Sequence, residues 1–204
     1  MKTVIVSDLH VDITGQIELE YMEGNLLIVA GDTSNSSKAS ARTINELSKG
    51  FDQVVCVDGN HEHYSNQHHN EKIRTIENNL DYFESMLYPN VTLLRKDKIV
   101  GAGEYNIIGC NGWYSMDYLG FTGGENIHFW RQYMNDVRIW DKGDTRQPLP
   151  HKLAKTHSDS IRERIDSLLP HEKVIVVTHT VPHDKGLVHK PWYRDWETDR
   201  KSVV

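Results

Sequence analysis

Short apolar runs rich in β-branched residues recur along the chain. The runs are residues 3–7, 26–30, 53–57, 105–110 and 173–178. They are apolar throughout instead of alternating, which is typical of strands that are covered on both faces. Between them lie segments whose apolar residues step by three and four, as on one stripe of a helix. The segments are 42–47, 70–87 and 161–169. Strands that alternate with helices predict a layered α/β architecture.

Polar residues with metal-ligating side chains follow the main apolar runs at the point where each run ends. They are Asp8 and His10, then Asp32, then Asn60, His61 and Glu62, and finally His179. The carboxyl ends of strands line the crevice where ligands bind in open α/β sheets. These side chains are therefore predicted to converge in space.

The residue types favour a pair of cations. Asp8 and His10 can turn toward one cation, while the two oxygens of Asp32 can bridge it to a second. Asn60 offers a neutral carbonyl oxygen and His179 an imidazole nitrogen. Oxygen and nitrogen ligands without thiolate favour Mn, Fe, Zn or Ni. Two divalent ions against two carboxylates leave a positive site, which attracts phosphate.

Two metals about 3.5–4 Å apart would polarise a phosphoryl group and generate a hydroxide near neutral pH. His61 is suited to stabilise charge on the phosphoryl oxygens or to protonate the leaving alkoxide. Glu62 is predicted to orient its neighbours from behind the ligands. The alternative is a metal-free α/β protein in which these motifs occur by chance.

The ordered motifs D-x-H, G-D, G-N-H-E and T-H resemble the calcineurin-like metallophosphoesterase superfamily over residues 1–179. The resemblance implies a two-layer β-sandwich flanked by helices, hence four layers, and a dinuclear metal centre. The metal ligands it implies are Asp8, His10, Asp32, Asn60 and His179, with His61 as the catalytic imidazole.

The closing G-H-x-H motif of that superfamily is absent from the chain. The sequence is therefore predicted to be one domain, residues 1–194, that lacks its C-terminal portion. The final residues DRKSVV correspond to a translated sequencing adapter, so residues 195–204 are predicted to be a non-native tail. The alternative is a genuine short tail with a charged end. Five other histidines are interpreted as ordinary loop residues: His63, His68, His69, His183 and His189.

The segment from Trp113 to Trp140 is rich in aromatic residues and interrupted by glycines. One interpretation is a cap whose ring faces contact a base or another planar group. The other is an insertion that packs its rings onto the core. The first interpretation favours a nucleotide or another phosphodiester as substrate.

The composition limits the location and the partners. A formal charge of −6, with 12 histidines counted neutral, argues against a sequence-blind binder of duplex nucleic acid. Cys56 and Cys110 lie inside apolar runs and are interpreted as small hydrophobic residues in a reducing compartment. The chain contains neither a signal-peptide h-region nor a run of roughly 20 apolar residues, so a cytoplasmic protein without a membrane span is predicted.

The predicted function is a metal-dependent phosphoesterase that hydrolyses a phosphodiester or phosphomonoester with an activated hydroxide. Asp32 is followed by Thr-Ser-Asn-Ser, not the Val-Asp-Arg-Gly of serine/threonine protein phosphatases, which argues against that branch. One alternative is a catalytically inactive scaffold or binding protein that retains the fold. Another is a nuclease subunit working on DNA ends, which would need a basic groove.

Overall fold

The computed structural model of the protein contains seven β-strands and six α-helices within the part of the chain that it describes. That part comprises residues 1–15, 22–64, 75–95, 97–115, 123–141 and 148–180. The strands are β1 (Thr3–Val6), β2 (Gly24–Ala30), β3 (Phe51–Val57), β4 (Val91–Leu93), β5 (Val100–Ala102), β6 (Tyr105–Cys110) and β7 (Lys173–Thr178). The helices are α1 (Val11–Thr14), α2 (Ser37–Ser48), α3 (Ile76–Ser85), α4 (Gly123–Tyr133), α5 (Val137–Asp141) and α6 (Pro150–Ser167), and a 3₁₀ turn covers His61–His63.

The strands form two sheets. The first is parallel throughout, in the order β1-β2-β3-β4. The second has the order β5-β6-β7, in which β6 pairs antiparallel with β5 and parallel with β7. Val6 pairs with Val29, and Ala30 pairs with Val57. The carboxyl ends of β1, β2 and β3 therefore meet at one edge of the first sheet.

Apolar side chains fill the space between the two sheets. The first sheet contributes Leu26, Ile28, Ala30, Val55 and Val57, and the second contributes Ala102, Ile107 and Val177. All of them are buried, and they form one cluster with Leu94. Because successive side chains of a strand point to opposite faces, the intervening residues of β2 and β3 face the helices instead.

Helices cover the outer faces of the sandwich. Leu27, Val29, Val54 and Cys56 pack in a cluster with side chains of α2 and α3. On the other side, α6 contacts β6, and the guanidinium of Arg164 donates to the carbonyl oxygen of Gly109 at 3.3 Å. The order is helices, sheet, sheet, helix, which confirms the predicted α/β sandwich flanked by helices.

The elements differ from the predicted segments mainly at their ends. Helix α2 begins before residue 42 because the hydroxyl of Ser36 accepts a hydrogen bond from the amide of Ala39, and such a cap stabilises a helix by about 1 kcal/mol. Helix α6 begins at Pro150, which suits the first position of a helix. Two strands, β4 and β5, were not predicted because runs of three residues carry little periodic signal.

Both cysteines are buried and free, as predicted for small hydrophobic residues. Burial raises the pKa of Cys110 to about 12. Among the described residues, no helix is both long and apolar enough to cross a membrane. The predicted tail at 195–204 lies outside the described residues, and the domain boundaries remain predictions.

Candidate metal centre

Side chains from four strand ends come together at one edge of the sandwich. Asp8 follows β1, Asp32 follows β2, Asn60 follows β3, and His179 follows β7. Two groups of ligand atoms each lie within 4.8 Å of one another. One group is Asp8, Asp32 and His179, and the other is His10, Asp32 and His61. Asp32 belongs to both groups, which is the geometry that a shared ligand requires.

Three of these residues occupy the left-handed region of backbone space. Their φ angles are 53° for Asp8, 42° for His10 and 52° for Asp32. A residue with a side chain in this region costs about 1–3 kcal/mol and persists where the surroundings hold it. The backbone amide of Asp8 donates to the carbonyl oxygen of Gly31, and the backbone amide of His10 donates to the carbonyl oxygen of Asp32, each at 3.1 Å. The loops after β1 and β2 therefore hold each other in strained conformations that aim the side chains into the site.

Asp32 lies at the centre of the site and is only 4% exposed. Its Oδ2 atom lies 3.2 Å from Nε2 of His179, 3.9 Å from Nε2 of His10 and 3.8 Å from Nε2 of His61. Burial by itself raises the pKa of Asp32, but the charges of His179 and His61 and their hydrogen bonds lower it below its usual value. The carboxylate is therefore ionised and can act as a ligand.

The geometry around His179 needs a positive charge. Nδ1 lies 2.9 Å from the carbonyl oxygen of Ala30, so that nitrogen carries a proton. Nε2 then faces two oxygens, Oδ2 of Asp32 at 3.2 Å and Oδ1 of Asn60 at 3.1 Å. Either a second proton or a metal ion satisfies all three atoms. Burial opposes the charge on the ring, but the Asp32 carboxylate outweighs it and raises the pKa of His179 to about 10.

His10 faces Asp32 through Nε2, which lies 3.9 Å from Oδ2. Its Nδ1 atom is buried and has no hydrogen-bond partner among the described residues. Its ring packs edge-on against His61 with 4.4 Å between the ring centroids.

The buried carboxylate of Glu62 holds the ligand loops together from behind. Oε2 accepts hydrogen bonds from the amides of Asp32 at 3.1 Å and Gly59 at 2.7 Å. Oε1 accepts from the amide of Thr33 at 2.7 Å and the hydroxyl of Ser40 at 2.8 Å. Burial, followed by the charge of Asp32, raises the pKa of Glu62. This position is consistent with the predicted orienting role.

His61 is oriented by a residue that the sequence interpretation missed. Its Nδ1 atom lies 2.6 Å from Oδ1 of Asn35, whose own amide groups donate to Asp12. The proton on Nδ1 is therefore held by Asn35, and Nε2 faces Asp32. Asn35 lies in the Thr-Ser-Asn-Ser run that distinguishes this chain from the serine/threonine protein phosphatases. Its position three residues after Asp32 was the available signal.

The described part of the aromatic segment packs its rings onto the core, and contact with a base stays a prediction. Trp113 lies edge-on against Trp140, as does Trp130, with 5.3 Å between the centroids of each pair, and Trp113 belongs to the core cluster. Trp113 and Tyr114 also line the pocket beside the strand-end residues. The rings of Tyr118 and Phe121 lie outside the described residues.

His63 was interpreted as a solvated loop residue, and this was wrong. The residue is 2% exposed, and Nε2 lies 2.9 Å from the buried carboxylate of Asp58. Its Nδ1 atom lies 2.8 Å from the side-chain nitrogen of Asn79. The 3₁₀ turn directs His63 inward, where Asp58 gives it a charged partner. The other histidines that were interpreted as loop residues lie outside the described residues: His68, His69, His183 and His189.

Close contact between two loops explains the glycine in the G-N-H-E motif and gives a prediction. A Cβ atom at Gly59 would lie 2.0 Å from Oδ1 of Asp32 and 2.5 Å from its backbone nitrogen. The Gly59→Ala variant is expected to displace Asp32, to lose metal affinity and to be destabilised by about 1–3 kcal/mol. Denaturant titration and metal analysis check this. Gly101→Ala is the matched control, because nothing lies within 4 Å of its added methyl group. Equal behaviour of the two variants would contradict the packing argument.

Comparisons with known proteins identify the family. The family model described as calcineurin-like phosphoesterase matches residues 1–201. The chain belongs to this family. This calcineurin-like phosphoesterase is therefore a metal-dependent hydrolase of phosphate esters. No curated protein matches the sequence.

A solved structure supports the fold of this calcineurin-like phosphoesterase. The chain is similar to the crystal structure of phosphopantetheinyl hydrolase from Mycobacterium tuberculosis, with a TM-score of 0.69 and 20% sequence identity. The similarity covers 88% of this chain and 68% of that chain. At this identity the similarity concerns the arrangement of the sheets and helices.

Proposed function

We propose that the protein hydrolyses a phosphodiester or a phosphomonoester at a centre of two divalent cations. The observation that carries the proposal is the position of Asp32, which belongs to two groups of potential ligand atoms that each lie within 4.8 Å of one another. Asp8 and His10 flank it on the β1 side, and Asn60 and His179 on the β3 and β7 side. The resemblance assigns Asp8 and His10 to one cation and Asn60 and His179 to the other, with Asp32 as the bridge. In the structure Asp8 lies with His179 and His10 with His61 around Asp32, so the bridging position of Asp32 is the part of this assignment that the geometry supports.

The donor set fits hard or borderline divalent cations. It consists of carboxylate and amide oxygens with imidazole nitrogens and contains no thiolate, which favours Mn, Fe or Zn. The two oxygens that face Nε2 of His179 support a cation at this place. When bound, the cations would polarise the phosphoryl group and lower the pKa of a water molecule.

His61 would act on the reacting phosphate. Because Asn35 holds the proton on Nδ1, Nε2 is the nitrogen that faces the site. A protonated Nε2 can donate a hydrogen bond to a phosphoryl oxygen in the transition state. It can also pass its proton to the leaving-group oxygen as the bond from phosphorus to that oxygen breaks. Asn35 would keep the ring in the orientation that both roles need.

Two aromatic residues of the pocket support a particular class of substrate. Trp113 and Tyr114 line the pocket next to Asp8 and Asp32, where the leaving group of a bound ester would lie. Aromatic side chains suit a planar group such as a base, which supports a nucleotide or another phosphodiester as substrate. The fold that the chain shares with phosphopantetheinyl hydrolase adds a phosphopantetheinyl ester to the compounds worth testing.

The test combines metal analysis with two model substrates. After incubation with Mn²⁺ and desalting, the protein is expected to retain two ions per chain and to hydrolyse bis-p-nitrophenyl phosphate. p-Nitrophenyl phosphate, measured in parallel, separates diesterase from monoesterase activity. Chelation should abolish turnover, and Mn²⁺ should restore it. Folded protein that binds metal without hydrolysing either ester would favour the scaffold alternative, and folded protein that binds no metal would overturn the proposal.

A further inference from the structure

Both the nitrogen and the oxygen of the Asn60 side-chain amide have hydrogen-bond partners. Its Nδ2 atom donates to the hydroxyl of Tyr64 at 2.7 Å and to Oδ1 of Asp136 at 2.8 Å. Its Oδ1 atom faces Nε2 of His179 at 3.1 Å. The amide nitrogen is therefore engaged by Tyr64 and Asp136, and the amide oxygen faces His179.

Asp136 fixes this orientation through its chemistry. An ionised carboxylate only accepts hydrogen bonds, so it can face the amide nitrogen but not the amide oxygen. The hydroxyl of Tyr64 donates its own proton to Oδ1 of Asp136 at 2.6 Å, so toward Asn60 it can only accept. Rotating the Asn60 amide by half a turn would put its oxygen against two acceptors. Together the two side chains permit one orientation of the amide.

Asp136 is distant from Asn60 in the sequence and is buried. It lies between α4 and α5, 76 residues from Asn60, and is only 3% exposed. Its Oδ2 atom accepts from the hydroxyl of Tyr114 at 2.7 Å, and Nε1 of Trp130 donates to that same hydroxyl at 2.6 Å. The carboxylate is thereby fixed by the aromatic segment and in turn fixes a residue of the strand-end motif.

We propose that Asp136 is a positioning residue that directs the carbonyl oxygen of Asn60 toward the metal centre. The proposal rests on the proposed function, in which Asn60 is a metal ligand through that oxygen. It gives the aromatic segment a role in metal binding in addition to its packing. Without Asp136 the amide would be free to present its nitrogen, which is not a ligand, to the cation.

The first experiment compares metal affinity in variants of the whole chain. Asp136→Ala is expected to weaken Mn²⁺ binding by about 10–100-fold, as is typical when a group that orients a ligand is removed. Asp136→Asn is expected to weaken binding by no more than Asp136→Ala, because its side-chain oxygen can still accept from Asn60, although its NH2 group can also turn toward Asn60 and permit the other orientation. Asp159→Ala, the same change at a side chain that is 44% exposed and pairs with Lys155, is the control. Affinity is measured by calorimetry on protein whose fold has been checked by circular dichroism.

A double-mutant cycle separates orientation from a general structural effect. In the Asn60→Asp background both side-chain atoms that can face the cation are oxygens, so orientation no longer matters. Asp136→Ala is then expected to leave Mn²⁺ affinity unchanged or to raise it, because it also removes the repulsion between the two carboxylates, whereas a merely structural role would weaken binding in both backgrounds.

The outcomes are distinct. If folded Asp136→Ala binds Mn²⁺ like the wild type, or if its loss of affinity persists in the Asn60→Asp background, the positioning role is overturned. If the wild-type protein itself binds no Mn²⁺, the proposed function fails first.

Discussion

The Asp32→Asn variant is expected to lose at least one of two metal ions per chain and to lose activity by about a thousandfold or more. Asparagine has nearly the shape of aspartate but only one oxygen and no charge, so it cannot bridge two cations. The loss of Lewis acidity at the phosphoryl group is worth several kcal/mol, and each 1.36 kcal/mol is a factor of ten in rate. Metal analysis and the hydrolysis of bis-p-nitrophenyl phosphate are measured on the same sample.

The control for this variant is Asp52→Asn. Asp52 is exposed, and its carboxylate accepts a hydrogen bond from Asn25 at 2.8 Å on the surface. The control is expected to keep wild-type metal content and activity. Retention of two ions by folded Asp32→Asn would rule out Asp32 as the bridging ligand, even if activity fell.

The strand-end residues could be predicted because their information is local. A buried parallel strand is recognised as a continuous apolar run, and the residue that follows it lies at the carboxyl edge of the sheet. Asp8, Asp32 and His179 each come directly after such a run or within two residues of it, and the structure brings them together. The left-handed backbone at Asp8 and Asp32 was not predictable, because nothing in either residue type demands it.

Two supporting residues, Asn35 and Asp136, could not be predicted because their partners are distant in sequence. Asp136 contacts Asn60 across 76 residues, and Asn35 contacts His61 across 26 residues. A single Asp or Asn in a loop has no periodicity that would distinguish it from a solvated neighbour. His63 was misjudged for another reason, since its burial depends on the path of the 3₁₀ turn.

Glu62 shows how one buried charge can organise several loops. Its two oxygens accept four hydrogen bonds from Asp32, Thr33, Ser40 and Gly59. A carboxylate with this many donors is stabilised in a buried position despite the cost of its desolvation. The motif G-N-H-E therefore contains residues that face the site and, in Glu62, a residue that fixes the loops from behind.

The His61→Ala variant is expected to lower kcat by about 10²–10⁴-fold while metal content stays near the wild-type value. The imidazole is proposed to act on the phosphate and its leaving group, so its removal should leave the other ligands in place. If it protonates the leaving oxygen, the loss should be larger for an alkyl ester than for a p-nitrophenyl ester. A p-nitrophenolate leaves readily without a proton, whereas an alkoxide does not.

This measurement also decides between two roles that the geometry allows. His61 lies in one group of potential ligands with His10 and Asp32, and Asn35 holds it in an orientation suited to proton transfer. His128→Ala, at an exposed histidine of α4, is the control and should change neither quantity. If His61→Ala lost metal and activity together, His61 would be a ligand. A loss of kcat alone, graded by the leaving group, would assign it to proton transfer, because a missing ligand would weaken metal binding whichever ester was used.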